Sequence, residues 1–185
     1  MNKWKLLKTD PIHETEWMSL YSDTYQFPDG KTGSGYLRLT RDDYVVIFAI
    51  NKNSDVIINK QYRRGVDKIN IELPAGVLHK GEKPEEAAAR ELREEVGYEC
   101  TVKNCFVIFP QPAFINFKAY ITICDLGEKC NKEIGDDDEF IESEIIQLEK
   151  LENMVLNGEI QDNSLITALG LYKLVTNNHD QTSTF

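Results

Sequence analysis

The sequence predicts an α+β fold in which helices cover a central β-sheet, and three observations lead to this prediction. Apolar, β-branched runs recur along the chain, and the strongest is Tyr44 to Ile50 with the sequence YVVIFAI. Residues 84–96 have the composition of a helix, and a second helical segment lies near the C-terminus. The order of strands, helix, strands and helix is typical of a sheet core between helices, an α/β/α sandwich.

The composition indicates a globular protein rather than a disordered one. The chain has 185 residues, of which 41% are hydrophobic and 28% charged, enough to bury a core without disulfides. Its formal net charge of -10 repels phosphate backbones, so nucleic acid is not an expected partner. Residues 1–20 are rich in charge and show neither a signal peptide nor a membrane span, so we expect a cytoplasmic protein without membrane attachment. We expect three cysteines to be reduced, small, buried hydrophobes: Cys100, Cys105 and Cys124.

The strands are predicted from apolar patterns and turn residues. Residues 1–43 contain short apolar stretches and a turn at Pro28-Asp29-Gly30, which predicts an antiparallel β-meander. After the strand that begins at Tyr44, a polar turn and residues 56–63 complete a hairpin. We therefore divide the chain into an N-terminal β-rich extension, 1–43, and a main domain, 44–178. Further strands are predicted at 69–73, 100–109, 117–125 and 140–148.

The helices are predicted from their ends. Pro84 suits the first turn of a helix, where no backbone N–H is needed, and Gly97 suits its end. Residues 148–156 form a short helix, and a last helix runs over 164–175 with Asp162 or Ser164 as its cap. The polar tail after residue 177 is expected to fray.

Three carboxylates crowd one side of the first helix. At about 100° per residue, Glu94 and Glu95 lie roughly 60° and 40° to either side of Glu91. Such like charges weaken a helix by a few tenths of a kcal/mol each, and divalent cations between them would offset the repulsion. Oxygen ligands suit Mg²⁺ or Mn²⁺ rather than zinc. The alternative is a solvated, glutamate-rich surface. The flanking glycines favour the metal site because they delimit a loop–helix–loop unit: Gly76, Gly81 and Gly97.

The segment from Gly76 to Tyr98, GVLHKGEKPEEAAARELREEVGY, resembles the Nudix box, G-x5-E-x7-R-E-U-x-E-E-x-G-U, in which U is a bulky apolar residue. Only the last position departs, since Tyr98 is aromatic. The resemblance implies a Nudix fold with a mixed β-sheet and hydrolysis of a nucleoside diphosphate linked to another group.

The resemblance also implies roles for single residues. Metal ligands would be Glu91, Glu94, Glu95 and the carbonyl of Ala75. Arg90 would orient the glutamates, and Glu82 would be a secondary metal or helix-positioning group. The catalytic set would be Glu95, Glu94, Arg90 and Glu139, the last as a general base from an acidic loop. For Glu139 a solvated turn is the alternative.

Flanking segments resemble the ADP-ribose pyrophosphatase branch of the family: residues 61–63 (QYR), 72–76 (ELPAG) and Pro112. That branch usually has Pro-Gly where Pro112 is followed by Ala113. Candidate substrate-binding residues are Arg63, Arg64, Glu72 and Pro112. The arginines could hold the diphosphate, because arginine forks match phosphate oxygens, and Glu72 could bind the amine edge of the substrate or be structural. For these arginines the alternative is an ion pair with Glu72 or another acidic residue.

The sequence thus predicts Mg²⁺-dependent hydrolysis of a nucleoside diphosphate sugar, with ADP-ribose giving AMP and ribose 5-phosphate. Alternatives are another nucleotide sugar such as GDP-mannose, or a non-catalytic module that senses nucleotides. A sensor usually lacks box glutamates, and here they are all present. The resemblance also implies a homodimer that uses the N-terminal strands.

Overall fold

The computed structural model describes residues 2–130 and 140–182, the side chains of 179–182 excepted. The chain divides into two compact units, Met1–Asp43 with Phe109–Ala119 and Tyr44–Ile108 with Tyr120–Phe185. The division after Asp43 coincides with the change from the meander to the strongly apolar strand. Residues 109–119 belong to the first unit, although the sequence predicted them within the main domain.

The first unit contains a three-stranded antiparallel sheet, as predicted, in the order β1-β2-β3. Its strands are β1 (Lys5–Glu14), β2 (Ser19–Gln26) and β3 (Thr32–Thr40). Residues 109–119 contact β3 through backbone hydrogen bonds. In one of them the N–H of Leu39 donates to the carbonyl of Phe114 over 2.8 Å.

A buried ion pair fixes β2 to β3. Asp23 is fully buried and accepts hydrogen bonds from Arg38 Nε at 2.7 Å, Thr9 Oγ1 at 2.8 Å and Tyr25 Oη at 3.1 Å. The Arg38 hydrogen bond is the main reason that the pKa of Asp23 lies below its usual range. Because several donors satisfy the carboxylate, its burial is compensated.

The second unit is built on a seven-stranded mixed sheet. Five strands lie in the order β10-β5-β4-β9-β8, and two short strands join them, β6 against β5 and β7 against β4. The strands are β4 (Tyr44–Ile50), β5 (Asp55–Arg63), β6 (Lys68–Glu72), β7 (Ala75–Val77), β8 (Tyr98–Ile108), β9 (Ala119–Lys129) and β10 (Ile141–Gln147).

Helices cover both faces of this sheet, so the predicted α/β/α sandwich is confirmed. Helix α1 (Pro84–Glu91) packs on one face through Ala87 and Ala88. Helices α2 (Leu148–Leu156) and α3 (Asn163–Thr182) pack on the other, where Phe48 stacks on Tyr172 at 4.9 Å between ring centroids. None of the helices in the described residues is both long and apolar enough to cross a membrane.

Two helix predictions need correction. The first helix is α-helical only to Glu91, and Leu92–Val96 form a π-helical turn. The spacing of 100° per residue therefore does not hold for Glu94 and Glu95, because a π-helix bonds residue i to i+5. Helix α3 continues to Thr182, beyond the predicted end, since residues 176–182 contain neither Gly nor Pro. Its cap is Asp162, whose Oδ1 accepts the Leu165 N–H at 2.8 Å.

The cysteines are unpaired, and only one is fully covered. Cys124 on β9 is buried as expected, whereas Cys100 and Cys105 on β8 are half-buried. Strand β8 lies at the end of the strand order, so fewer neighbours cover its side chains.

Truncation of Leu151 in α2 should destabilise the protein by about 2–5 kcal/mol, because its fully buried side chain would leave a cavity. Leu156 in the same helix is 84% exposed, and its replacement by alanine should change the free energy of unfolding by less than about 0.5 kcal/mol. Urea unfolding of Leu151→Ala and Leu156→Ala measures both. Equal losses in the two variants would contradict the assigned core.

Candidate active site

The candidate site forms where β7, a short loop and α1 follow one another. Gly76 lies in β7 opposite Val45 of β4, and a Cβ atom on Gly76 would stand 1.9 Å from Cδ of Glu91. The carboxylate of Glu91 therefore packs directly on the backbone of Gly76. The absence of a Cβ atom at Gly76 makes this close approach possible.

Arg90 joins the loop to the acidic side of the helix. Its guanidinium holds Glu82 with two hydrogen bonds, Nε to Oε1 at 2.8 Å and Nη2 to Oε2 at 2.9 Å. Its Nη1 donates to Glu91 Oε1 at 2.7 Å and to Glu94 Oε2 at 3.2 Å. Its Nη2 also donates to the carbonyl of Val77 at 3.1 Å. One side chain thus orients three carboxylates and a strand.

The ion pair between Arg90 and Glu82 stabilises the charged form of both side chains. Hydrogen bonds from Arg90 lower the pKa of Glu82 from 4.5 to about 2, against the effect of burial and with help from the backbone N–H of His79. The same contact raises the pKa of Arg90. Glu82 is consequently ionised at neutral pH and bound to Arg90, which fits a positioning role.

Glu95 accepts a hydrogen bond from a residue of the β-sheet. Its Oε2 accepts a hydrogen bond of 2.8 Å from Nδ2 of Asn59 on β5, and Oδ1 of Asn59 accepts one of 2.8 Å from Ser143 Oγ on β10. Asn59 and Ser143 are not among the site residues predicted from the sequence. The available signal was an amide at the end of the apolar run VIIN in β5.

Arg63 forms an ion pair with Glu72, the alternative left open by the sequence. Its Nε donates to Glu72 Oε2 at 3.0 Å and its Nη2 to Oε1 at 2.5 Å. Asn70 also donates to Glu72 at 3.0 Å. Asn59 and Glu72 are direct partners on β5 and β6, so this ion pair lies beside the amide that holds Glu95.

The oxygen ligands proposed from the sequence have the chemistry that suits a hard cation. Their side chains are not grouped in the arrangement that would hold one. Within residues 2–130 and 140–182, no group of three Asp, Glu, His or Cys side chains is placed to hold a metal. Arg90 instead occupies oxygens of Glu91 and Glu94. The chemistry of the set, carboxylates without histidine or thiolate, suits Mg²⁺ or Mn²⁺. Glu94 is half exposed, so its side chain has room to turn towards a cation.

Comparison with known proteins places this geometry in a family. The model of the NUDIX domain matches residues 40–169, which include the whole loop–helix segment. The chain belongs to the Nudix family. The predicted resemblance and the predicted enzyme class, a Nudix pyrophosphohydrolase, are both confirmed.

Similar proteins come from bacteria and a mammal. The chain is 29% identical to the methanol dehydrogenase activator of Bacillus methanolicus, over 92% of each chain. It is 28% identical to an ADP-ribose pyrophosphatase of Bacillus subtilis, over 85% of this chain and 86% of that protein. It is 32% identical to the ADP-sugar pyrophosphatase of Mus musculus, over 75% of this chain and 70% of that protein.

The solved structure of an ADP compounds hydrolase shares the Nudix fold of this chain. The two superpose with a TM-score of 0.79 over 97% of each chain, at 20% sequence identity. Together with the family match, this likeness confirms the Nudix fold predicted from the box.

The structure brings together some of the Nudix site residues proposed from the sequence and not others. Arg90 meets Glu82, Glu91 and Glu94, and Glu95 lies on the same helical segment. Arg64 is exposed in the turn after β5, next to Arg63 in one open cavity. Ala75 begins β7, and Pro112 is exposed in the first unit. Glu139 lies outside the described residues.

Gly76→Ala should damage the metal site more than the fold. The new methyl group would displace the Glu91 carboxylate, the flexible end of a side chain, while the backbone of β7 keeps a conformation open to alanine. We expect the affinity for Mn²⁺, measured by electron paramagnetic resonance, to fall by about 10-fold or more, with a small change in melting temperature.

Gly65→Ala is the matched control for Gly76→Ala, because a Cβ atom at Gly65 meets nothing within 4 Å. Unchanged Mn²⁺ affinity in Gly76→Ala would show that Glu91 is not a ligand.

Proposed function

We propose that the chain hydrolyses the diphosphate of a nucleoside diphosphate sugar, with ADP-ribose as the preferred substrate and AMP and ribose 5-phosphate as products. The observation that carries the proposal is the set of carboxylates that Arg90 and Asn59 hold on one helical segment of a Nudix box. The names of the Bacillus subtilis and mouse relatives support the choice of an ADP-sugar.

Mg²⁺ fits the oxygen donors of the site, and Mn²⁺ is an alternative. The residues that would hold it are Glu91, Glu94, Glu95 and the carbonyl of Ala75. When bound, the cation neutralises the charge of the diphosphate and polarises its phosphoryl oxygens. This role accounts for an anionic substrate in a chain whose net charge is -10.

Arg90 prepares the carboxylates for this task. Each carboxylate has two oxygens, so Glu91 and Glu94 can each keep one on Arg90 while the other turns to the cation. Glu82 holds the guanidinium in place with both of its oxygens. Arg90 thus limits the positions open to Glu91 and Glu94, which lowers the cost of ordering them around a cation.

Arg63 and Arg64 would contact the substrate phosphates. Both line one open cavity after β5, and a diphosphate would compete with Glu72 for the fork of Arg63. In the reaction a water oxygen bonds to one phosphorus and the bridging P–O bond breaks. A carboxylate, Glu139 or a glutamate of the box, takes the proton of the water.

Another nucleotide sugar is the nearest alternative within the same chemistry. The chain is 27% identical to a GDP-mannose pyrophosphatase of Klebsiella pneumoniae, over 86% of this chain and 87% of that protein. A non-catalytic nucleotide sensor is disfavoured because the glutamates of the box are all present and Arg90 orients Glu91 and Glu94.

Hydrolysis of ADP-ribose with Mg²⁺ should give AMP and ribose 5-phosphate, with the highest kcat/KM in a panel that includes GDP-mannose and nucleoside triphosphates. Glu95→Gln should lower kcat by at least about 100-fold, because a ligand carboxylate contributes more than its outer partners do. Chromatography of the products measures both. Glu85→Gln is the matched control, since Glu85 is exposed in the first turn of α1.

The outcomes of this panel separate the alternatives. Preference for GDP-mannose would replace the substrate and leave the proposed metal site and chemistry in place. Equal activities of Glu95→Gln and the wild type would contradict the metal site. Nucleotide binding without turnover would favour the sensor.

We also propose that the chain forms a homodimer through β1. This strand exposes several apolar side chains along its length: Leu6, Leu7 and Ile12, with Trp4 just before them. The proposed binding partners of the chain are therefore a second copy of itself and the small-molecule substrate. A cytoplasmic location stays a prediction from the sequence.

Sedimentation at micromolar concentration should give twice the chain mass of 21.2 kDa. Ile12→Glu should shift the protein towards monomer, because it would bury a charge, whereas Leu156→Glu, at an exposed site in the other unit, should not. A monomeric wild type would refute the dimer.

A further inference from the structure

We propose that Asn59 is a positioning residue for Glu95 and that Ser143 fixes the orientation of the Asn59 amide. The inference deepens the proposed function, because it assigns the support of one metal-binding carboxylate to a relay of two residues outside the Nudix box. Asn59 is 36 residues from Glu95 in sequence, and Ser143 is 84 residues from Asn59.

The strand register places the relay. Ser143 on β10 is the direct antiparallel partner of Asn59 on β5. Ile57, two residues earlier on β5, packs in the core beneath α1 together with Ala88 and Leu92. Since side chains two apart on a strand share a face, Asn59 points to the same side of the sheet, where it reaches Glu95.

The burial of Asn59 indicates that its amide forms specific hydrogen bonds. Asn59 is 2% exposed and follows three fully buried apolar residues, Val56 to Ile58. A primary amide in such a place costs free energy unless hydrogen bonds satisfy it. Both ends of the amide are used, one by Glu95 and one by Ser143. An apolar residue could fill this buried position without any hydrogen-bond partner. We therefore infer that the amide is present to orient the carboxylate of Glu95.

The chemistry of the donor suits a ligand. Arg90 holds Glu91 and Glu94 with a positive charge, which competes with a cation for the same oxygens. The amide of Asn59 is neutral, so it orients Glu95 without cancelling its charge. The hydrogen bond from Asn59 therefore supports Glu95 without adding a positive charge that would compete with Mg²⁺.

Ser143 decides which way the amide faces. Its hydroxyl donates to Oδ1 of Asn59, and this leaves the NH₂ group of the amide directed at Glu95. A flipped amide would place its oxygen against the carboxylate, which is repulsive. Ser143 is exposed, so its replacement tests this orientation with little risk to the fold.

Mn²⁺ binding without substrate tests the relay directly. Electron paramagnetic resonance titration measures the affinity, and the component that Glu95→Gln abolishes defines the site. Asn59→Leu should weaken this component by about 10- to 100-fold, as replacement of outer partners of metal ligands usually does. Ser143→Ala should weaken it by about 3- to 10-fold, the size of one hydrogen bond, and Ser143→Thr should restore it because the hydroxyl remains.

The matched control lies one residue along each strand. Lys60 pairs with Glu144 across the same two strands at 2.6 Å, with side chains on the opposite face of the sheet. Lys60→Gln should therefore leave Mn²⁺ affinity unchanged. Melting temperatures in EDTA record stability separately. If Asn59→Leu does not fold, the comparison of Ser143→Ala with Ser143→Thr decides the matter.

Kinetics then separate this inference from the proposed function. With ADP-ribose, Asn59→Leu should lower kcat and raise the Mg²⁺ concentration for half-maximal rate, with a smaller effect on KM. Mn²⁺ affinities like that of Lys60→Gln in both Asn59→Leu and Ser143→Ala would overturn the relay, whatever the substrate. Loss of Mn²⁺ affinity in a protein that cleaves no nucleotide sugar would support the relay and refute the proposed function.

Discussion

The guanidinium of Arg90 is the group on which the arrangement of the candidate site depends. Three carboxylates meet at this one cation, and two of them lie on the same helical segment, where they would otherwise repel each other. A planar fork with five N–H donors can hold Glu82 with two bonds and still reach Glu91, Glu94 and a strand carbonyl. A lysine has three donors on one nitrogen and could not span these distances.

The sandwich makes this arrangement rigid. Ala87, Ala88 and Leu92 are fully buried against one face of the sheet, so the helix cannot rotate without exposing apolar surface. The strand that carries Gly76 is hydrogen-bonded to β4, the most buried strand of the sheet. Helix and strand therefore approach at fixed distance, and the carboxylate of Glu91 fills the space that the glycine leaves.

A polar row crosses the sheet beside this cluster. Ser143, Asn59 and Glu72 occupy matched positions on β10, β5 and β6, and Arg63 closes the row on Glu72. In the proposed enzyme this row would connect the metal-binding helix with the arginine that meets the phosphates. A change at Ser143 would then be felt at Asn59 and Glu95, and a change at Glu72 at Arg63, because each of these hydrogen bonds fixes the orientation of its partner.

The sequence alone predicted the fold class, the box and, to within a few residues, the bounds of six strands, because each produces a local pattern: β4, β5, β6, β8, β9 and β10. The apolar run of β4, Pro84 at the start of α1 and Gly97 at its left-handed end each carry their own signal. The spacing of the glutamates identified the family, and the structure placed Glu82, Glu91 and Glu94 around Arg90.

Tertiary structure decided the rest. The π-helical turn at Leu92–Val96 has the same apolar spacing as an α-helix and so gave no separate signal. Two further features depend on contacts between residues that are far apart in sequence. These are the association of residues 109–119 with the first unit and the hydrogen bond from Asn59 to Glu95. A buried asparagine in a strand predicts that a partner exists, but only the packing of helix on sheet determines which one, because distant segments meet through shared surface rather than through sequence spacing.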